Sequence, residues 1–140
     1  APGIAPDADR EAMAWVKENI PSDKDFLIIT TKPYSMSDPV QEWFPTLTGQ
    51  HSQTTLQGLE WSLGGEFINR LNDLTLLQTC DRLACVETWS TRTGLAVDYL
   101  WITVVPKETS ADLAVNVRES ANYQVVYESE SIVIFARVEK

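Results

Sequence analysis

Glu42-Trp43 and Glu60-Trp61 are the pairs in this chain whose residue types come nearest to a recognisable chemistry. An indole ring beside a carboxylate is a common way to hold a sugar, the ring stacking on C–H faces while the acid accepts hydroxyl hydrogen bonds. Two glutamates also supply the acid and the nucleophile or base of a glycosidase when their carboxyl groups stand roughly 5 to 10 Å apart. Asp38, Glu42, Glu60 and Glu66 fall with His51 in a stretch without Lys or Arg, between Lys32 and Arg70. Oxygen ligands and one imidazole suit Ca²⁺, Mg²⁺ or Zn²⁺ if the chain gathers them. The plainer reading is that these carboxylates are solvated or start helices, as Glu66 would, and that the two tryptophans anchor a long loop on the core. The expectation is therefore a binding surface made by Asp38, Glu42, Trp43, His51, Gln57, Glu60 and Trp61, with no catalytic residue, no metal ligand and no cofactor assigned.

Other chemistries find little support. The six glycines form neither G-x-G-x-x-G nor a P-loop, and there is no H-E-x-x-H or G-x-S-x-G. A net charge of -9 and a pI near 4.5 oppose binding to a phosphate backbone, so nucleic acid is not an expected partner. No apolar run reaches the roughly 20 residues of a membrane-spanning helix. Ala1-Pro-Gly-Ile-Ala-Pro6 has no basic start or apolar core of a signal peptide, and the chain reads as an excised piece of something longer. Cys80 and Cys85, the two cysteines, match neither a redox C-x-x-C nor a zinc spacing. A disulfide closing this short loop and a pair of buried free thiols both remain open; oxidation would require an extracytoplasmic compartment.

The elements that must position these residues follow from periodicity. At 140 residues with 44% hydrophobic and 22% charged side chains, the chain is expected to form one globular α/β domain over 1–140. Asp7 to Asn19 reads as a helix through Ala12, Met13, Val16 and Ile20, stopped by Pro21. Phe26 to Thr30 is a short apolar run of the kind found in strands covered on both faces. Thr31 to Leu59 is broken by Pro33, Pro39, Pro45, Gly49 and Gly58 and reads as irregular, apart from a short strand from His51 to Leu56. Helical spacing returns from Gly65 to Thr79 and from Asp81 to Trp89, with the cysteines at the junction. Asp98 to Val105 is the strongest strand signal and should be central. Thr109 and Asp112 resemble a capping box opening a helix through Leu113, Val117 and Ala121. Tyr123 to Glu128 and Ile132 to Val138 should pair as a hairpin, although Ser129-Glu130 lacks the glycine or asparagine of primed turns. The predicted architecture is a three-layer-like mixed sheet of about four to five strands with flanking helices and an antiparallel C-terminal hairpin at its edge.

Three segments, taken together, carry a resemblance. Ala12-Met-Ala-Trp-Val-Lys-Glu-Asn19 with Pro21, then Asp38-Pro-Val-Gln-Glu-Trp-Phe-Pro45 with Thr48-Gly49, then Gln57-Gly-Leu-Glu-Trp61 resemble the soluble C-terminal domains of polytopic bacterial membrane proteins of the GT-C glycosyltransferase class, such as the protein mannosyltransferases and the lipid A aminoarabinose transferases. The closing hairpin is similar to the way such chains often end. In that superfamily catalysis is associated with acidic residues in loops between membrane spans, so nothing catalytic carries over to a position here. The resemblance implies an accessory domain on the extracytoplasmic face of the bacterial plasma membrane. Its implied partners are the membrane-spanning part of its own parent chain and a glycan acceptor or polyprenyl-phosphate sugar. A free-standing hydrolase, glycosidase-like or metal-dependent and using the acids of the 38–61 stretch, is the alternative.

Overall fold

The computed structural model describes residues 7–30, 39–52, 66–95 and 97–138, with residues 39, 42, 43, 51 and 66–68 described by backbone alone. The first helix, α1, runs Asp7–Asn19 and buries Ala12, Met13 and Val16 along one stripe. Asp7 and Asp9 in its first turn and Lys17 in its last complement the helix dipole. Ile20 and Pro21 end it, and β1 (Asp25–Ile29) follows, buried from Phe26 onward.

The next element corrects the sequence reading. Residues 39–48, expected to be irregular, form helix α2 (Pro39–Thr48). Pro39 sits at its first position, where a missing N–H costs nothing. Val40 and Phe44, four apart, are buried as helical spacing requires. Pro45 lies inside the helix and removes the N–H that would bond to the Gln41 carbonyl, which is why the pattern looks broken in sequence. Thr48 Oγ1 donates to the Phe44 carbonyl, and Gly49, at φ +70°, turns the chain out of the helix. The strand expected from His51 to Leu56 is β2 (His51–Ser52), and the rest of that expectation lies outside the described residues.

Helix α3 (Glu66–Leu77) and helix α4 (Leu83–Thr93) come next. Cys80 and Cys85 are joined in a disulfide across their junction, with Cα atoms 5.5 Å apart. Gly94, at φ +73°, caps α4 by donating its N–H to the Ser90 carbonyl. Strand β3 (Tyr99–Thr103), helix α5 (Thr109–Arg118) and strands β4 (Tyr123–Glu128) and β5 (Ile132–Arg137) complete the chain. The capping box at Thr109 does not form: Glu108 holds the N-cap position without a side-chain cap bond, and Thr109 is already helical. Ser110 Oγ instead accepts the Val105 N–H at 3.0 Å, tying α5 back to the end of β3.

The sheet is five-stranded and mixed, in the order β2-β1-β3-β5-β4. β1 is parallel to β2 and β3, β5 is antiparallel to β3, and β4 is antiparallel to β5. It follows that β4 runs with β1 to β3. The hairpin lies at one edge as expected, but its antiparallel strand is the inner member. Ser129 closes it without glycine: its N–H donates to the Ile132 carbonyl at 2.8 Å, and its Oγ accepts the Ile132 N–H.

Strand alternation divides the core in two. Leu27, Ile29, Leu100, Ile102, Val133 and Phe135 face α3, α4 and α5 through Leu74, Leu77, Val86, Trp89, Leu113 and Val117. Phe26, Ile28, Trp101, Ile132 and Ile134 face α1 and α2 through Ala12, Met13, Val16, Val40 and Phe44. The fold is thus three layers, helices on both faces of a mixed sheet.

Candidate functional site

Two ends of the sheet are available for a site, and the connections make them different. From β1 the chain passes to α2 on one face, and from the adjacent, parallel β3 it passes to α5 on the other. Neighbouring strands whose connections leave toward opposite faces open a crevice at their carboxyl ends, the usual ligand position in sheets of this kind.

The carboxyl end of β1 carries a buried polar arrangement. Among the described residues β2 pairs with Asp25 and Phe26 at the amino end of β1. The Gln78 side chain binds the backbone of β1 nearer its carboxyl end. Its Oε1 accepts the Thr30 N–H at 2.7 Å and its Nε2 donates to the Ile28 carbonyl at 3.1 Å. Gln41 Nε2, from α2 on the opposite face, donates to the same Ile28 carbonyl at 3.1 Å. Both amides and Thr30 are at least 96% buried. Backbone groups withdrawn from water must be hydrogen-bonded, and these two glutamines supply part of that bonding at the carboxyl end of β1. None of the three was singled out from sequence, since a glutamine after a helix looks like any solvated polar residue.

Of the expected binding surface, Glu42 and Trp43 fall in the first half of α2 and His51 opens β2, each described by backbone alone; Asp38, Gln57, Glu60 and Trp61 lie outside the described residues. His51 pairs with Asp25, at the amino end of β1. The six residue steps from Glu42 to Thr48 advance the chain about 9 Å toward that end. Among the described residues no three His, Cys, Asp or Glu side chains gather into a cation-binding group. Comparison with protein families, with curated proteins and with solved structures finds no match.

The amino end of the sheet holds a cleft of about 640 Å³ that sequence spacing gave no reason to expect. Lys24 precedes β1, Asp98 and Tyr99 start β3, Asn122 precedes β4, Arg137 ends β5, and Glu87 reaches in from α4. Asp98 braces the strands here. Its Oδ2 accepts the Asp25 N–H at 2.8 Å, its own N–H donates to the Asp25 carbonyl at 3.0 Å, and its carbonyl accepts the Arg137 N–H at 2.9 Å. The Arg137 guanidinium lies 5.8 Å from the centre of the Tyr123 ring and 3.8 Å from Glu87 Oε1.

Burial raises the Tyr123 hydroxyl above the ordinary tyrosine value of 10.0; Arg137 works against the shift and Glu87 with it. The folded state therefore holds this proton more tightly than the unfolded state does. The resulting stability is complete below pH 10 and is lost as pH rises through the folded-state value. Urea denaturation of the chain and of Tyr123→Phe across the alkaline range is expected to show a steeper loss for the native sequence above pH 10, and parallel curves below it. Equal alkaline slopes would refute the assignment.

Proposed function

We propose that this chain is a non-catalytic, extracytoplasmic accessory domain of a glycosyltransferase-like membrane protein, contacting the glycan acceptor or the polyprenyl-phosphate sugar donor. The observation that carries the reading is the Cys80–Cys85 disulfide, because such bonds persist in oxidising compartments outside the cytoplasm. The doubly covered sheet adds support, since connections leaving β1 and β3 toward opposite faces are the usual setting for a ligand site, and α2, which follows β1, carries Glu42 and Trp43 of the sequence-derived contact surface. The resemblance of the 12–21, 38–49 and 57–61 segments to the soluble tails of GT-C proteins supplies the class of parent. Among the described residues no helix is long and apolar enough to cross a membrane, so the membrane part belongs to the rest of the parent chain.

The acidic balance constrains how contact is made. A net charge of -9 is repelled by anionic headgroups, so a sugar is held through its hydroxyls and ring faces rather than by attraction of the domain to the bilayer. The test is the intact parent protein carrying Trp43→Ala together with Glu60→Ala, assayed for glycosyl transfer from its lipid-linked donor. With the fold verified by circular dichroism and disulfide content, kcat/KM is expected to fall about tenfold, equivalent to about 1.4 kcal/mol of lost transition-state contact. Unchanged transfer by a folded variant would overturn the contact role.

A further inference from the structure

The cleft at the amino end of the sheet asks for a ligand of its own. Among the described residues its charged lining consists of two cations, Lys24 and Arg137, and two carboxylates, Glu87 and Asp98, with Asn122 and Tyr99 beside them. These charges cancel locally in a chain of net charge -9.

Two of the four are poorly used by the protein itself. Arg10, Arg82, Arg92 and Arg118 each sit on a carboxylate at 3.4 Å or less. Arg137 approaches Glu87 only to 3.8 Å, beyond hydrogen-bonding distance, and is about half exposed. On the other side of that gap, Glu87 Oε1 is shielded from solvent and has no hydrogen-bond donor. The Glu87 carboxylate, without a close donor, is free to accept from an N–H or O–H group, and the Arg137 guanidinium, over the Tyr123 ring and 3.8 Å from Glu87, keeps N–H donors for a planar or tetrahedral oxyanion. The two groups adjoin.

The charge pattern selects among ligands. A simple anion meets Glu87 and Asp98 and the field of the whole chain; a simple cation meets Lys24 and Arg137. A molecule carrying both charges a few bonds apart satisfies both halves at once. We propose that this cleft binds a small zwitterion, its ammonium group on Glu87 and Asp98 and its carboxylate or phosphate on Arg137 and Lys24. The shared chemistry is that of a free α-amino acid and of an ethanolamine-phosphate headgroup. A volume of about 640 Å³ lies within the range of small-molecule sites and accepts either.

The experiment is an amide chemical-shift titration of the whole chain with L-alanine, with O-phosphoethanolamine, and with the half-ligands ethanolamine and inorganic phosphate. At least one zwitterion is expected to move the signals of Glu87, Asp98, Asn122 and Arg137 saturably, with a Kd on the order of 1 mM or tighter. Both half-ligands should bind at least about tenfold more weakly. Glu87→Gln and Arg137→Gln should each weaken the zwitterion about tenfold, whereas only Arg137→Gln should weaken inorganic phosphate. Both side chains are substantially exposed, so these variants are expected to fold, and the half-ligand comparison does not depend on them. Saturation by alanine assigns a free amino acid, and saturation by O-phosphoethanolamine alone, accompanied by binding to phosphatidylethanolamine vesicles, assigns a headgroup. Absence of saturable shifts with both zwitterions, or binding of inorganic phosphate as tight as theirs, would overturn the proposal. It stands or falls independently of the accessory-domain reading, which rests on other residues.

Discussion

Trp101→Ala is expected to lower the free energy of unfolding by about 3 to 5 kcal/mol, measured by urea denaturation as a fall in midpoint at unchanged slope. Trp101 occupies the middle of β3, the central strand, and is fully buried. Phe44 of α2 meets it edge-on, with ring centres 5.8 Å apart at 88°, and Phe44 in turn lies 4.9 Å from Phe26, which stacks on Tyr99 at 5.0 Å. The indole N–H donates to Thr103 Oγ1 at 3.1 Å, so its polar atom is satisfied within its own strand. Removing the ring opens a cavity against the Phe44 ring, which cannot collapse into it without displacing α2. Domains of this size have only about 5 to 15 kcal/mol to lose, so the variant should be marginal at physiological temperature. Trp101→Phe should cost clearly less. A loss under about 1 kcal/mol for the alanine variant would mean that α2 does not pack on the sheet as described.

Gln78→Leu is expected to cost about 2 to 3 kcal/mol despite keeping nearly the same volume and adding hydrophobicity. The substitution withdraws an acceptor of the Thr30 N–H and a donor to the Ile28 carbonyl, both at the carboxyl end of β1. Leucine restores the packing but none of the hydrogen bonds, so the sign of the change separates the two contributions. Amide hydrogen exchange gives the local readout. Thr30 should lose protection by more than the global destabilisation accounts for, while the β3–β5 pairing from Tyr99 to Thr103 should follow the global value. A stable variant with unaltered Thr30 exchange would contradict the bracing role of Gln78.

Much of this architecture was legible in the sequence because the signals are periodic. α1 shows Ala12, Met13, Val16 and Ile20 at helical spacing, and the continuous apolar runs of β1 and β3 mark strands buried on both faces, as both core clusters confirm. The helix α2 was not legible. Pro39 and Pro45 look like loop punctuation, and only the packing of Val40 and Phe44 against Ile28 and Trp101 outweighs the lost backbone bond at Pro45. Local propensity gave way to tertiary burial there. The capping box failed for a related reason: Thr109 has the right spacing to Asp112, but the bond between Ser110 and Val105 fixes the start of α5 one residue earlier.

The sites were less legible than the fold. Cys80 and Cys85 are close enough in sequence that either redox state was open, and the structure joins them through their sulfurs. Lys24, Glu87, Asp98 and Arg137 come from four separate parts of the chain, and no spacing rule links them until the sheet order brings β1, β3 and β5 side by side. The Asp38 to Trp61 surface had the reverse character. Its residues are near one another in sequence, and the backbone distributes Glu42, Trp43 and His51 along α2 and into β2.

The central claim, that this domain belongs to a membrane-embedded glycosyltransferase-like chain, is tested most directly by sequencing the native locus upstream of the Ala1 codon and scoring the continuous reading frame for spans of about 20 apolar residues. The expected result is many such spans, with acidic loops between the early ones. A reading frame that starts upstream without any would contradict the claim and return the search for chemistry to the domain itself.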